Sequence, residues 1–460
     1  MKYVKEIQEQ GITAELIAQI IDDNKVDSER MLKLYQRYKA CENAVPILER
    51  RAVTFDHFDT KAIKRLDDKV NNRLNNPFDV DIVDTKVGYM FGPPIVYDYD
   101  DKAQGAKKVK EQIDIFNLRN HVEDADAELG KMATICGKAA RLAYIGPDGN
   151  ERIKNIDPWQ VIFIGDDIQE PVYSLRYYKD AQGALQVEFY DNENMALFTE
   201  DANGLKQVQE TKHMFDFNPL YGVANNKEML GDAERVQQLI DAYDRTLSDA
   251  SNEIEQYRLA YLVLRGVGLD EETIAQLKKH GVWELFDKES DVSYLTKDIN
   301  DSLIEHHLDR LERNIIKLAK SVDFSDETFG TSLSGVAMKF KLMALENKCI
   351  MMERKFTSML RYQFKVIFSA WRKRKLVQVN KDDYLKVWFA FSRNLPVNLL
   401  EEANTQQALK GVVSEKTRLS LFSAIDDPDF ELEELSREQN EYMQAYGSVG
   451  DEVHGDTEDD

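Results

Sequence analysis

A helical pattern that runs unbroken from about residue 335 to 373 constrains this chain more than any other feature. At ~1.5 Å per residue it makes a rod of roughly 58 Å, whereas helices in globular domains average about 11–12 residues. Such a rod is either a strut across a large assembly or a kinked helix. The segments before it narrow the choice. A helix is predicted over about 232–260, with Val236, Leu239, Tyr243, Leu247, Ile254, Tyr257 and Tyr261 at steps of three, four or seven. A small insert over about 262–300 carries three β-like runs, LVLRGV, GVWELF and DVSYL. A second helix follows over about 303–320, where Ser302 and Glu305 make a capping-box pattern. Ile304, Leu308, Leu311, Ile315 and Leu318 form its apolar stripe. The stretch 322–334 is poor in helix signals. Two helices around a β insert, then a loop and a very long helix, describe a capped rod rather than a substrate-binding fold.

The remainder reads as a mixed, α+β chain. The first 75 residues carry helical spacing, including Ile17, Ile20, Ile21, Met31, Leu34, Tyr35 and Tyr38. MFGPPIVYDY (90–99) breaks that pattern and turns extended, and a helical stretch follows to about Ala140. From Arg141 to Phe217, alternating runs such as VIFIG, VYSLRYY, LQVEFY and ALFTE are separated by Asp148-Gly149 and Gln182-Gly183 turns. An α+β domain is therefore expected over about 1–228. After the long helix, YLKVWFAFS (384–392) reads as a strand and a helical piece extends to about 440.

At 460 residues the chain has room for two or three domains. Its formal charge of −23 opposes a plain nucleic-acid binder, because neutralising phosphates and releasing their counterions requires a basic surface. More than half of the acidic excess lies in residues 425–460, whose end, GSVGDEVHGDTEDD, reads as a solvated tail. Cys41, Cys136 and Cys349 are odd in number and widely spaced, so neither a disulfide framework nor a metal cluster is expected. MKYVKEIQEQ lacks the apolar stretch of a signal peptide, and no window reads as a membrane span.

Catalytic chemistry finds little support. GKMATICGK (130–138) puts six residues between its glycines and Ala139 where a phosphate-binding loop needs a hydroxyl, so an ATPase is not expected. Glu305, His306 and His307 are adjacent on a helix, which points the two imidazoles about 100° apart. No Ser–His–Asp arrangement stands out, and no cofactor or metal is expected. Two basic features each carry two readings. Arg310, Arg313, Lys317 and Lys320 share a face of the second helix, either meeting phosphates or pairing with acids of a neighbouring subunit. The run Trp371-Arg372-Lys373-Arg374-Lys375 either complements the negative end of the long helix or stacks on nucleic acid.

Several segments, in this order, are similar to one protein family. FGTSLSGVAMKFKLMALE (329–346) is the strongest, with Ser334-Gly335-x-Ala337-Met338-Lys339 opening the long helix. VDTKVGYMFGPPIVY (83–97), FSRNLPVN (391–398) and VSEKTRLSLFSAIDDPDFELEEL (413–435) accompany it. Together they resemble the portal, or head-to-tail connector, proteins of tailed double-stranded DNA phages, of the siphovirus type from Gram-positive hosts. Ala40-Cys41 departs from the pattern, where the family has Gly.

The resemblance implies a portal fold: wing over 1–228, stem helices over 229–261 and 301–321, and a β-containing clip over 262–300. A tunnel loop over 322–334, a long wing helix and return strand over 335–395, a helical crown over 396–440 and an acidic, disordered tail over 441–460 would complete it. It also implies a non-enzymatic ring, of 12 copies, at one capsid vertex. The ring would be assembled in the host cytoplasm and carry DNA during packaging and ejection. Expected partners are the DNA, the terminase large subunit, scaffolding and major capsid proteins, and head-completion adaptor proteins, with no membrane. Asp323, Phe324, Asp326, Glu327, Phe329 and Ser332 would face DNA from the tunnel loop. Its acids would repel phosphates within a Debye length of about 8 Å, which suits sliding, though the same residues also fit a plain exposed loop. Arg310, Arg313, Lys317, Lys320 and Lys339 are channel-lining candidates, and Trp283, Glu284, Phe286 and Tyr294 are clip residues for partner binding. The alternative is another helical virion or scaffolding protein without a DNA channel.

Overall fold

A computed structural model describes residues 2–50, 71–103, 105–202, 204–257, 261–265, 291–295, 301–324, 335–395, 399–422, 425 and 428–446. Contact density divides the chain into residues 1–333 with 338–394, and residues 334–337 with 395–460. Helix and sheet are mixed in the first unit, as expected.

That unit opens with α1 (Lys2–Gln10) and α2 (Ala14–Tyr38), the latter capped by Thr13, whose hydroxyl accepts from the Leu16 N–H. The two halves of α2 have different neighbours. Ile17 and Ile20 pack on a five-stranded antiparallel sheet, whereas Met31 and Leu34 meet Val83, Ile135 and Cys136 on later helices. The sheet is a meander of β4 (Val161–Ile164), β5 (Tyr173–Lys179), β6 (Leu185–Tyr190), β7 (Asn194–Asp201) and β8 (Gly204–Lys212). A second sheet joins β2 (Lys138–Ile145) to β3 (Glu151–Ile156) and β9 (Leu220–Ala224).

Two helical boundaries differ from the sequence reading. The helical stretch expected to Ala140 is α4 (Ala106–Asn120) and α5 (Val122–Cys136), and it stops at Gly137, whose φ of +88° ends the helix and starts β2. Among the described residues, the helical character expected through residue 75 is confined to α1 and α2. Residues 71–77 instead lie along α6 (Gln237–Tyr257) without regular structure. There the backbone N–H groups of Asn72, Leu74 and Asn76 donate to Asn252, Ser248 and Asp244 at 2.8, 3.0 and 2.9 Å. Two residues of near-extended chain rise about as far as four residues of helix, so alternate N–H groups meet one acceptor per turn. Asp244, Ser248 and Asn252 are buried for this purpose.

α3 (Phe78–Phe91) ends at Gly92 and leads into β1 (Val96–Tyr99), as the Gly-Pro-Pro break predicts. The glycines of the failed phosphate loop have packing roles. A Cβ on Gly130 would lie 2.3 Å from the Phe91 ring.

The helix expected over 232–260 is α6 with a short 3-10 turn before it. Tyr261, assigned above to the helix, instead begins β10 (Tyr261–Arg265), which pairs antiparallel with β11 (Asp291–Leu295). The run GVWELF lies outside the described residues. The second helix is α7 (Asp301–Ala319). It starts before Ser302, so Ser302 and Glu305 stand inside it and not at its cap, and Asp301 places a carboxylate at its positive end.

The long helix, α8, runs Gly335–Arg374. Its first half is amphipathic, burying Leu342, Leu345, Cys349, Met352 and Phe356 and exposing Phe340, Met343 and Met351. From Tyr362 to Trp371 it is buried on nearly every side. After it, β12 (Val387–Ala390) pairs antiparallel with β1. The second unit holds α9 (Leu399–Leu409), α10 (Glu415–Leu419) and α11 (Pro428–Tyr446). α11 continues past 440 because the first helix-breaking residue after Pro428 is Gly447, so residues 441–446 are helical and not tail.

The missing glycine at Ala40 has a physical consequence. α2 ends in a Schellman motif, with Ala40 N–H donating to Arg37 O at 2.8 Å and Cys41 N–H to Gln36 O at 2.9 Å. Ala40 sits at φ +52°, a conformation disfavoured for any residue with a Cβ. Ala40→Gly is therefore expected to stabilise the protein by roughly 0.5–1 kcal/mol, read as a higher urea midpoint at unchanged slope.

Candidate functional site

Three of the four segments that carry the family resemblance come together in space. Glu346, in the opening of α8, accepts from Tyr89 Oη at 2.7 Å and from Arg393 at 2.9 and 3.1 Å. Tyr89 belongs to VDTKVGYMFGPPIVY and Arg393 to FSRNLPVN, so one residue from each of three motifs meets at this point. Arg393 also reaches Glu353, two turns further along α8, at 2.6 Å. The Asn394 N–H donates to Tyr89 O, and a Cβ on Gly92 would collide with the Asn394 side chain. Burial opposes the charge on Glu346, but the Arg393 and Tyr89 hydrogen bonds hold its carboxyl below the usual value.

A second joint surrounds Asp232, just before α6. Its Oδ2 lies 2.9 Å from Lys348 Nζ of α8 and 3.2 Å from Lys86 Nζ of α3, while Asn225 donates to Oδ1 at 2.8 Å. Lys86 also donates to Asn225 at 2.6 Å, and the Asp232 N–H to Thr134 O of α5 at 2.9 Å. Lys348 completes the joint by donating to Ala319 O, the last residue of α7, at 2.6 Å. Two ammonium groups face one carboxylate here. The negative end of the α7 dipole, on which Lys348 sits, supplies part of the missing charge. Burial opposes ionisation of Asp232, yet the two lysines hold its carboxyl below the ordinary value.

From these joints α7 projects with one face packed. Leu311, Ile315 and Ala319 are buried, the last two with Ile82, Ala233, Val236 and Ile240. Arg310, Arg313 and Lys317 are exposed on its other side, and Lys320 lies just past its end at φ +54°. None of the four makes an ion pair among the described residues, in a unit where Arg30, Arg37, Lys138, Arg141 and Arg393 all do. The structure separates them. Arg313 and Lys317 line an open groove of about 510 Å³ together with Lys341, Asp309, Glu312 and Asp323. Lys320 instead lines a 130 Å³ cavity beside Lys86, Lys348 and Arg235. Arg310 borders neither, and Lys339 is exposed at the start of α8.

Among the expected loop residues, Asp323 and Phe324 are exposed. Burial raises the carboxyl of Asp81, and the charges of Asp323 and Asp84 add to the effect. Asp326, Glu327, Phe329 and Ser332 lie outside the described residues, as do Trp283, Glu284 and Phe286. Tyr294 lies in β11, opposite Leu262.

One alternative is overturned. Trp371 is fully buried against Phe116 and Phe368, so it cannot stack on nucleic acid. Arg372 and Lys373 share Asp216 at 2.5 and 2.7 Å, and Arg374 pairs with buried Glu151 at 2.6 Å. Burial pushes the Cys136 thiol up to about 12 and Cys349 to about 11, so neither is a nucleophile at neutral pH.

The sequence model of a family described as "Phage portal protein, SPP1 Gp6-like" matches residues 17–445. The portal protein of Bacillus phage SPP1 is 26% identical, over 98% of this chain and 91% of its own. The portal protein of Clostridium phage phiCD119 is 24% identical, over 94% of this chain and 97% of its own.

Two outcomes follow for the joints. Asp232→Asn leaves two buried ammonium groups without a counter-charge and should cost about 3–5 kcal/mol, measured by chemical unfolding. Glu346 has a lower pKa folded than unfolded, so its contribution is complete at neutral pH and is lost as pH falls from near 4.5 through the folded value. Glu346→Gln should therefore destabilise the protein at pH 7 while flattening the loss of stability below pH 4.5.

Proposed function

This chain belongs to the phage portal family described as SPP1 Gp6-like, and from that premise we propose that copies of it close into a ring at one vertex of a phage head. Double-stranded DNA passes through the ring during packaging and ejection. The match across residues 17–445, from near one end of the chain to near the other, carries this reading. In it, residues 1–228 and much of α8 form the wing, α6 and α7 the stem, 262–300 the clip, 322–334 the tunnel loop and 396–440 the crown. The clip docks the terminase motor and later the head-completion proteins, and scaffolding and major capsid proteins surround the ring during assembly. The role is mechanical and no reaction is proposed.

For the exposed cations of α7, a neighbouring subunit is the better partner. The groove holding Arg313, Lys317 and Lys341 also holds Asp309, Glu312 and Asp323. A phosphate backbone would gain from the first three and be repelled by the others, whereas a protein surface can answer both signs. Asp323 and Phe324, with 325–334, remain the proposed sliding contact for DNA.

Mass photometry with negative-stain imaging tests the ring. Twelve copies of 53.1 kDa give particles near about 640 kDa with a central hole. A closed dimer or an open filament would overturn the reading. Arg313→Glu combined with Lys317→Glu should weaken ring closure at unchanged protomer stability. Intact rings that instead lose their hold on DNA would place these cations in the channel.

A further inference from the structure

α8 ends against the start of α4, and a cavity of about 840 Å³ opens between them. Lys108, Arg372, Lys375, Asn380, Asp383 and Lys386 are among the residues lining it. In a chain of net charge −23 this concave wall is basic. Asp383, the one carboxylate of that wall among the described residues, is already engaged: Oδ1 pairs with Lys386 at 2.8 Å and Oδ2 accepts the Asn380 N–H at 2.7 Å. Arg372 shares Asp216 with Lys373, two cations to one acid. Lys108 and Lys375 have no acidic partner among the described residues.

Both of those lysines are poorly placed by local rules. Lys108 lies in the first turn of α4, which carries no acid, at the positive end of the helix. Lys375 occupies the left-handed position of a Schellman motif, at φ +57°, where glycine is favoured. The dipole of α8 favours a cation at Lys375 but gives no account of Lys108. Residues that break local preferences and converge on one cavity mark a functional site.

We propose that this cavity binds phosphate groups, either of a free polyphosphate or of a nucleic-acid backbone. Lys108, Lys375 and Arg372 supply the charge and Asn380 an amide donor, and the positive end of the α4 dipole adds to them. The cavity shares no lining residue with the groove on α7, so its test stands apart from that of the ring.

The test uses the full-length protein at low salt. Sodium tripolyphosphate is titrated by calorimetry, and a fluorescein-labelled 20-base oligonucleotide, single or duplex, by anisotropy. Lys375→Gly suits the backbone there and keeps the fold, and Lys108→Glu is exposed. Each should weaken binding at least tenfold, while Lys154→Glu, an exposed control, should not. Binding by tripolyphosphate alone assigns the site to free phosphates, and binding by the oligonucleotide alone assigns it to nucleic acid. Absence of binding by both probes, or equal loss in the Lys154→Glu control, overturns the proposal.

Discussion

The carboxylate of Asp232 is the constraint on which the geometry of the first unit turns. It stands where α6 begins, is nearly inaccessible, and holds Lys86 of α3 and Lys348 of α8 at ion-pair distance. Through Lys348 it also governs the last carbonyl of α7. Removing such a charge from water is costly unless every partner is in place. Segments of α3 and α8, the end of α7 and the chain entering α6 are therefore fixed together or not at all. An unpaired surface cation can be lost with little effect, but this cluster cannot lose one member without stranding another.

Glu346 and Arg393 act on the same helix from another side. Arg393 spans Glu346 and Glu353, seven residues apart on α8, and Tyr89 completes the contact. Further along, the buried Arg141 ties β2 to α5 and α8 through Asp126 and Gln363 at 2.7 and 3.0 Å. The long helix is thus held at Glu346, Lys348, Glu353 and Gln363, while Phe340, Met343 and Met351 face outward. Lys348 ties this strut to the last carbonyl of α7. That coupling fits the mechanical role proposed above.

Much of this is legible in the sequence. The length of α8 follows from the absence of Pro or Gly between residues 336 and 374, and the turn at Gly92 from Gly-Pro-Pro. Of the apolar stripe expected on α7, Leu311 and Ile315 are buried and Ile304 and Leu308 partly so, but Leu318 is exposed and Ala319 is buried in its place. What stayed hidden was polar. Lys86, Asp232, Lys348 and Glu346 look like ordinary surface residues, because helical periodicity ranks residues by apolarity and is blind to a buried charge with its partner far away in sequence. The ladder of Asp244, Ser248 and Asn252 was missed for the same reason, since it lies off the apolar stripe of α6. Trp371 shows the reverse error. Next to four basic residues it reads as a stacking platform, yet its ring is enclosed by aromatic neighbours that local sequence does not reveal.

The joints around Asp232 and Glu346 leave the cations of α7 and the outer face of α8 uncovered in one copy, and in the proposed ring the next copy covers them. A cryo-EM reconstruction of the assembled particle tests it most directly. The account predicts a closed ring in which Arg313, Lys317 and Phe340 are buried between adjacent copies, with the Asp232 cluster intact in each. A ring whose copies meet elsewhere, leaving that groove and the outer face of α8 open to solvent away from the channel, would contradict it.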